Sequence, residues 1–190
     1  MYCSLDIETT GLDPEKHQIL EVAFVMDVRD KSIMDCPYWS CVLDPGKKIV
    51  GDAYALHMNA DLLLQIAESQ AHSWSTPVFG SPCERFIIWL DQNAPTGPLH
   101  AMGKNVGSFD MQFLKRLDCF PIQRFHHRML DVNSLLATPD GMSGYGDVCD
   151  KLAGFHGIPG RAHNALYDAR VTLALARAAW GLEGASFLGT

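Results

Sequence analysis

The run Ser4-Leu5-Asp6-Ile7-Glu8-Thr9-Thr10-Gly11-Leu12 puts two carboxylates one residue apart on an apolar segment that stops at a glycine. In a strand, residues i and i+2 leave the same face. Asp6 and Glu8 therefore project together, while Leu5 and Ile7 point the other way. A chain that buries such a strand must hold two like charges side by side, and burial strengthens their repulsion. A cation between them relieves it, and an all-oxygen site suits Mg²⁺ or Mn²⁺ rather than zinc. The tripeptide alone is more often an exposed surface pair. Acids recurring downstream in specific settings change that balance.

Strand-like patterns are read over 2–7, 19–28 and 38–43, separated by the turn signals Asp13-Pro14 and Asp44-Pro45-Gly46. Helical spacing follows over 53–69 and 82–93, where Cys83, Phe86, Ile87 and Leu90 fall at i, i+3, i+4 and i+7. A short strand over 98–104 leads through a turn into a helix over 110–117. A strand over 128–132 and a short helix over 144–152 come next. Gly154, Gly157, Pro159 and Gly160 then mark a loop. The chain closes with an amphipathic helix over 164–180, with Asn164 as N-cap and Leu166, Ala169, Leu173, Ala176 and Trp180 as its buried stripe. Three leading strands followed by alternating helix and strand predict an α/β fold, a mixed β-sheet flanked by α-helices.

The length of 190 residues fits one domain with a sizeable core. No apolar run reaches the roughly 18–20 residues of a membrane span. Asp6 and Glu8 interrupt the only early apolar segment, so the N-terminus does not read as a signal peptide. The six cysteines show neither C-x-x-C nor a regular disulfide spacing, which points to reduced thiols and a cytoplasmic protein. The net charge of −7 is unevenly spread: residues 1–103 hold 6 basic and 14 acidic side chains, residues 104–190 hold 9 and 8. That balance argues against gripping a long duplex, whose phosphates demand many basic contacts. A short strand held through metals and a few arginines remains compatible.

Two further acids complete the pattern. Asp110 follows Gly103-Lys104-Asn105-Val106-Gly107-Ser108-Phe109 at a helix start, and Asp168 lies in the first turn of the last helix, five residues after His163. Each taken singly is an ordinary first-turn acid facing a helix dipole, and a lone loop histidine is usually just solvated. In order and together they resemble the DEDD superfamily of 3′–5′ exonucleases, in its histidine-containing branch. The resemblance covers nearly the whole chain. It implies a ribonuclease H-like fold, a single exonuclease domain over 1–182 with a tail over 183–190, and two divalent cations, Mg²⁺ or Mn²⁺, held by Asp6, Glu8, Asp110 and Asp168. Phosphodiester hydrolysis needs an activated water and charge stabilisation at the leaving 3′ oxygen, which two such ions can supply. Histidine as a residue type titrates near neutrality, and the resemblance makes His163 the general base.

Two subfamilies compete. The Asp-Ile-Glu-Thr-Thr-Gly-Leu wording is similar to proofreading exonucleases such as the epsilon subunit of bacterial DNA polymerase III. Ile19-Leu20-Glu21-Val22-Ala23 and Phe125-His126-His127-Arg128-Met129-Leu130-Asp131-Val132 resemble oligoribonuclease. The resemblance implies that Arg128 holds a 5′ phosphate, that Leu12 wedges against the terminal base, and that Thr9, Asn105 and Phe109 also contact substrate. His127 stands where oligoribonucleases carry a tyrosine that reaches a partner subunit, and Asn105 and Asn133 replace family serines. A homodimer and a polymerase partner both stay open. The substrate expected is the 3′ end of single-stranded RNA or DNA, short oligonucleotides with RNA slightly favoured. A module that binds nucleic acid without catalysis is the other class, disfavoured because it has no chemical reason to keep four repelling carboxylates. His17 and His57 read as surface residues.

Overall fold

The computed structural model describes residues 1–68, 81–94, 97–136 and 145–188. Five strands form one sheet in the order β3-β2-β1-β4-β5: β1 (Tyr2–Thr9), β2 (Ile19–Met26), β3 (Tyr38–Val42), β4 (His100–Gly103) and β5 (Leu130–Asp131). The first three pair antiparallel, whereas β4 and β5 add in parallel. This is the mixed sheet expected, with helices on both faces. Alternation along the strands sorts two cores. On one face Leu5, Ile7 and Phe24 pack against α3 (Pro82–Asn93) and α4 (Asp110–Leu114). The rings of Phe24 and Phe86 stand 4.3 Å apart there. On the other face Ala23, Val25 and Met102 pack against α5 (Tyr145–His156) and α6 (Ala165–Ala179).

Strand β1 is central, and it outruns its partner: pairing with β4 covers only Tyr2, Cys3 and Ser4. Gly103, at the end of β4, lies so close to β1 that a Cβ there would stand 2.9 Å from the Leu5 carbonyl oxygen. Past that point β1 projects beyond the parallel strands, and a register shift between Glu8 and Thr9 bends its pairing with β2. Ser4, Asp6 and Glu8 share the face toward α6, and the Ser4 hydroxyl donates to the Ala169 carbonyl at 2.7 Å. That bond locks the last helix onto β1.

Several elements depart from the expected bounds. The helix expected over 53–69 is two helices, α1 (Ala53–Met58) and α2 (Ala60–Glu68), broken at Asn59; residue 69 lies outside the described residues. The Asn59 side chain turns inward and donates from Nδ2 to the Thr9 carbonyl at 3.2 Å, a contact 50 positions away in sequence. The strand expected over 128–132 shrinks to Leu130–Asp131, because Val132 opens a 3₁₀ turn (Val132–Leu136). Helix α5 runs on to His156, and α4 stops at Leu114. Helix α6 is buried nearly all round rather than along one stripe, with Arg170, Thr172 and Arg177 also enclosed. After residue 182 the chain turns back, and a 3₁₀ turn (Ala185–Leu188) sets Phe187 edge-on to Phe155 at 5.6 Å. Gly184, at φ 74°, makes this approach feasible, since a Cβ would meet Leu152 at 2.7 Å.

Candidate active site

The acids converge where β1 leaves the sheet. Asp6, Glu8 and Asp168 each place one carboxylate oxygen within 4.8 Å of the others. They line a cavity of about 480 Å³ with Thr9, Leu12, Tyr54, Asn59, Lys104, Phe109 and His163. Asp110 stands outside that tight trio. It is buried at the start of α4, where its own backbone N–H and that of Ile7 hold its carboxylate. Its charge acts on Asp6 more strongly than that of any other residue. The structure therefore brings all four acids together around the end of β1.

Burial and crowding change the ionisation of three of them. Burial, then repulsion from Asp168 and Glu21, pushes Glu8 up to about 8. Burial lifts Asp110 to about 7, against the pull of its backbone donors. Asp6 is raised well above the usual carboxylate range by burial and then by Asp110, Asp168 and Glu8. Such a cluster fits hard divalent cations: its donors are all carboxylate oxygens, and their charge is under-compensated.

Helix α6 positions Asp168 through its own start. The Asn164 side chain accepts from the Tyr167 N–H at 3.1 Å, the expected N-cap. Buried Glu21 on β2 accepts from the Ala165 N–H at 3.0 Å and from Asn164 Nδ2 at 3.3 Å, clamping the helix to the sheet. His163 sits just outside with φ 65°, a conformation a non-glycine residue adopts only when its surroundings require it. The requirement is visible: its backbone N–H donates to Asp168 Oδ2 at 2.8 Å. The imidazole is exposed at the cavity wall.

The expected substrate contacts divide. Thr9, Leu12 and Phe109 line the cavity. Leu12 is 76 % exposed, so it is not a core residue. Asn105 and Arg128 are not among the residues that line it. Asn105, at φ 56°, shapes the turn before α4, and its side-chain oxygen accepts from Asn133 Nδ2 at 3.4 Å. Arg128 is exposed among His100, His126 and His127: its N–H donates to His126 Nδ1 and its carbonyl meets His100 Nδ1 at 3.0 Å. His57 is exposed as expected, but His17 is not a surface residue. Its side chain is largely enclosed beside Gly11, where Nδ1 accepts from the Asp13 N–H at 2.9 Å.

Similarity to known proteins follows the same lines. The chain is 29% identical over 134 residues to an oligoribonuclease of Photobacterium profundum, covering 69% of this chain and 70% of that one. It is 25% identical over 142 residues to an oligoribonuclease of Shewanella loihica, with the same coverage. No protein-family model matches it. Its fold matches an exonuclease I from Methylocaldum szegediense with a TM-score of 0.59 at 19% identity, over 93% of this chain. The chain spans only 40% of that protein's length, and the likeness is one of fold. Relatives and fold together support the resemblance to DEDD-type 3′–5′ exonucleases. Among the described residues, no helix is long and apolar enough to cross a membrane.

Four residues of the site are not evident from the sequence. Glu21 and Asn59 act across 50 or more positions, as clamp for α6 and as support for Thr9, so no local pattern announces them. Lys104 reaches into the acids, with Nζ 2.7 Å from Asp168 Oδ1. Burial draws its pKa down, but attraction to Asp168 and then to Asp6 outweighs this, and the net shift is upward. Its place just before the Asn105 turn was the only available sign. Tyr54, 74 % exposed on α1, adds an aromatic face to the cavity.

Proposed function

We propose that the chain is a two-metal-ion 3′–5′ exonuclease that trims short single-stranded oligonucleotides, RNA somewhat ahead of DNA, to nucleoside 5′-monophosphates. The observation that carries this reading is the convergence of Asp6, Glu8 and Asp168 within 4.8 Å, at the floor of an open cavity with His163 at its wall. Asp6, Glu8, Asp110 and Asp168 are the residues that would hold Mg²⁺ or Mn²⁺. When bound, these ions supply an activated nucleophile and charge stabilisation at the leaving oxygen. His163 takes the proton of the attacking water, since its imidazole is exposed to the cavity and its backbone is fixed by Asp168. Leu12 and Tyr54 present apolar and aromatic faces on which a terminal base can stack. Thr9 offers backbone at the same wall, and Phe109 closes the cavity beside α4.

The net charge of −7 supports short substrates, because few phosphates can be neutralised. The relatives' name, oligoribonuclease, supports RNA. Arg128 then reads as a contact for a more distant phosphate or for a second subunit, outside the cavity of its own chain. The six free thiols support a cytoplasmic protein. Matched RNA and DNA series of two to twenty-four nucleotides, labelled at either end and run with and without EDTA, test the proposal. Release of monophosphates from the 3′ end, best on the shortest RNAs and abolished by EDTA, is the expected result. Rising efficiency with length on DNA alone would assign the chain to proofreading instead, and no release at all would leave a binding module.

A further inference from the structure

Four acids meet at the end of β1, and within their cavity wall one lysine answers them. Both oxygens of Asp168 are engaged in this structure: Oδ2 by the His163 backbone N–H at 2.8 Å, and Oδ1 by Lys104 Nζ at 2.7 Å. The lysine side chain is 27 % exposed, and its charge also bears on Asp6, Glu8 and Asp110. Its root is fixed, because Gly103 is pressed against β1 at the Leu5 carbonyl. An ammonium on a four-carbon stem can swing aside without moving backbone. A cation drawn to Asp168 through Oδ1 therefore meets a side chain that already occupies that oxygen and is able to leave it.

We propose that Lys104 is a built-in counter-cation: it holds the carboxylates together in the metal-free enzyme and yields Asp168 Oδ1 when a divalent ion binds. This rests on the metal-dependent reading above. Two consequences are linked. Lys104 competes with metal, so removing it tightens metal binding. It also stabilises the metal-free fold, so removing it weakens that fold, and metal restores what was lost. A lysine that only packs, or one that assists metal binding, produces neither pattern.

The test compares wild type with Lys104→Met and Lys104→Arg, using Mn²⁺ alone at pH 8.5 under argon. Free Mn²⁺ is followed by electron paramagnetic resonance, and each protein is melted in EDTA and in saturating Mn²⁺. Lys104→Met should bind Mn²⁺ on the order of tenfold more tightly, as expected when a neighbouring positive charge is removed. It should melt below wild type in EDTA, and Mn²⁺ should narrow that gap by about 1.4 kcal/mol, the equivalent of tenfold in affinity. Lys104→Arg, which keeps the charge, should stay near wild type in both measurements. Should Lys104→Met fail to fold, Lys104→Gln takes its place in the same titrations. Unchanged or weaker Mn²⁺ binding by the uncharged variant, or a melting gap that Mn²⁺ does not narrow, overturns the proposal while leaving the metal-dependent reading intact. Wild type that binds no Mn²⁺ overturns both.

Discussion

Helix α6 carries a buried charge cluster at each end, and the two are built on opposite terms. At its C-terminal end Arg177 is fully enclosed, and its partners are supplied in full. Its guanidinium donates to Asp27 Oδ1 at 2.8 and 3.0 Å, to the Lys31 carbonyl at 2.7 Å and to the Val28 carbonyl at 2.8 Å. Arg29 covers the other oxygen of Asp27 at 2.8 Å. At its N-terminal end Asp168 joins Asp6, Glu8 and Asp110, with Lys104 as the cation among them. The first cluster is closed and satisfied. The second carries an excess of negative charge and opens into a cavity. Compensation within the chain is the sign of a structural site, and its lack is the sign of a site that waits for a ligand.

The largest effect that can break this contrast is expected from Asp6→Ala. Turnover should fall by about 10³-fold or more, because a lost ligand removes several kcal/mol of charge stabilisation. At pH 8.5 the metal-free protein should melt no lower than wild type, since one of the repelling charges has gone. Steady-state rates and melts in EDTA measure both. A variant that melts well below wild type in EDTA would make the acids structural, like their counterparts at the far end.

His163→Ala is next, with an expected loss on the order of 10²–10⁴ in kcat. Mn²⁺ affinity should hold, because Asp168 is supported by the backbone N–H of residue 163 and not by its imidazole. Equal losses of metal binding and of rate would make the imidazole part of the acid cluster rather than a base beside it.

Arg177→Met probes the closed cluster. Removing Arg177 takes both donors from Asp27 Oδ1 and leaves Arg29 alone on Oδ2, which should cost about 3 kcal/mol in urea unfolding. The activity per folded molecule should stay at the wild-type level, because the arginine touches nothing in the cavity. Pairing it with Asp27→Leu should recover much of the loss. A stability change within half a kcal/mol would show that the satisfied cluster is not load-sharing in the fold.

The two ends also differ in how far they can be read from sequence. Asp6, Glu8, Asp110, His163 and Asp168 are legible because each stands in a local frame: strand alternation, a helix start, an N-cap. The sheet is legible for the same reason, since β1 to β3 are short apolar, strand-like runs set between turn signals. Arg177 is not, because its partners lie about 150 positions away and helical spacing shows only an arginine within an apolar stripe. The break at Asn59 escapes for a like reason: 53–68 keeps helical spacing throughout, and only the distant Thr9 carbonyl draws the side chain out of the pattern. Arg128 was read from resemblance, and the structure sets it outside the cavity.

The smallest effect expected is a dependence of metal-free stability on pH. Glu8 and Asp110 titrate near 8 and 7 in the folded chain, above their ordinary values of 4.5 and 3.8. Across the interval between, the folded state holds protons that the unfolded chain has released. Stability from these groups is therefore present in full below about pH 4 and is lost as pH rises through 7 and 8. In EDTA the melting temperature should fall from pH 5.5 to 8. Glu8→Gln, which cannot ionise, should flatten the slope. Saturating Mn²⁺ should reverse it, because metal binds the deprotonated carboxylates and gains affinity as they ionise. A melting temperature that rises from pH 5.5 to 8 in EDTA would mean that the acids are already compensated in the metal-free protein. The two ends of α6 would then be alike, and the contrast that marks one of them as the site would be lost.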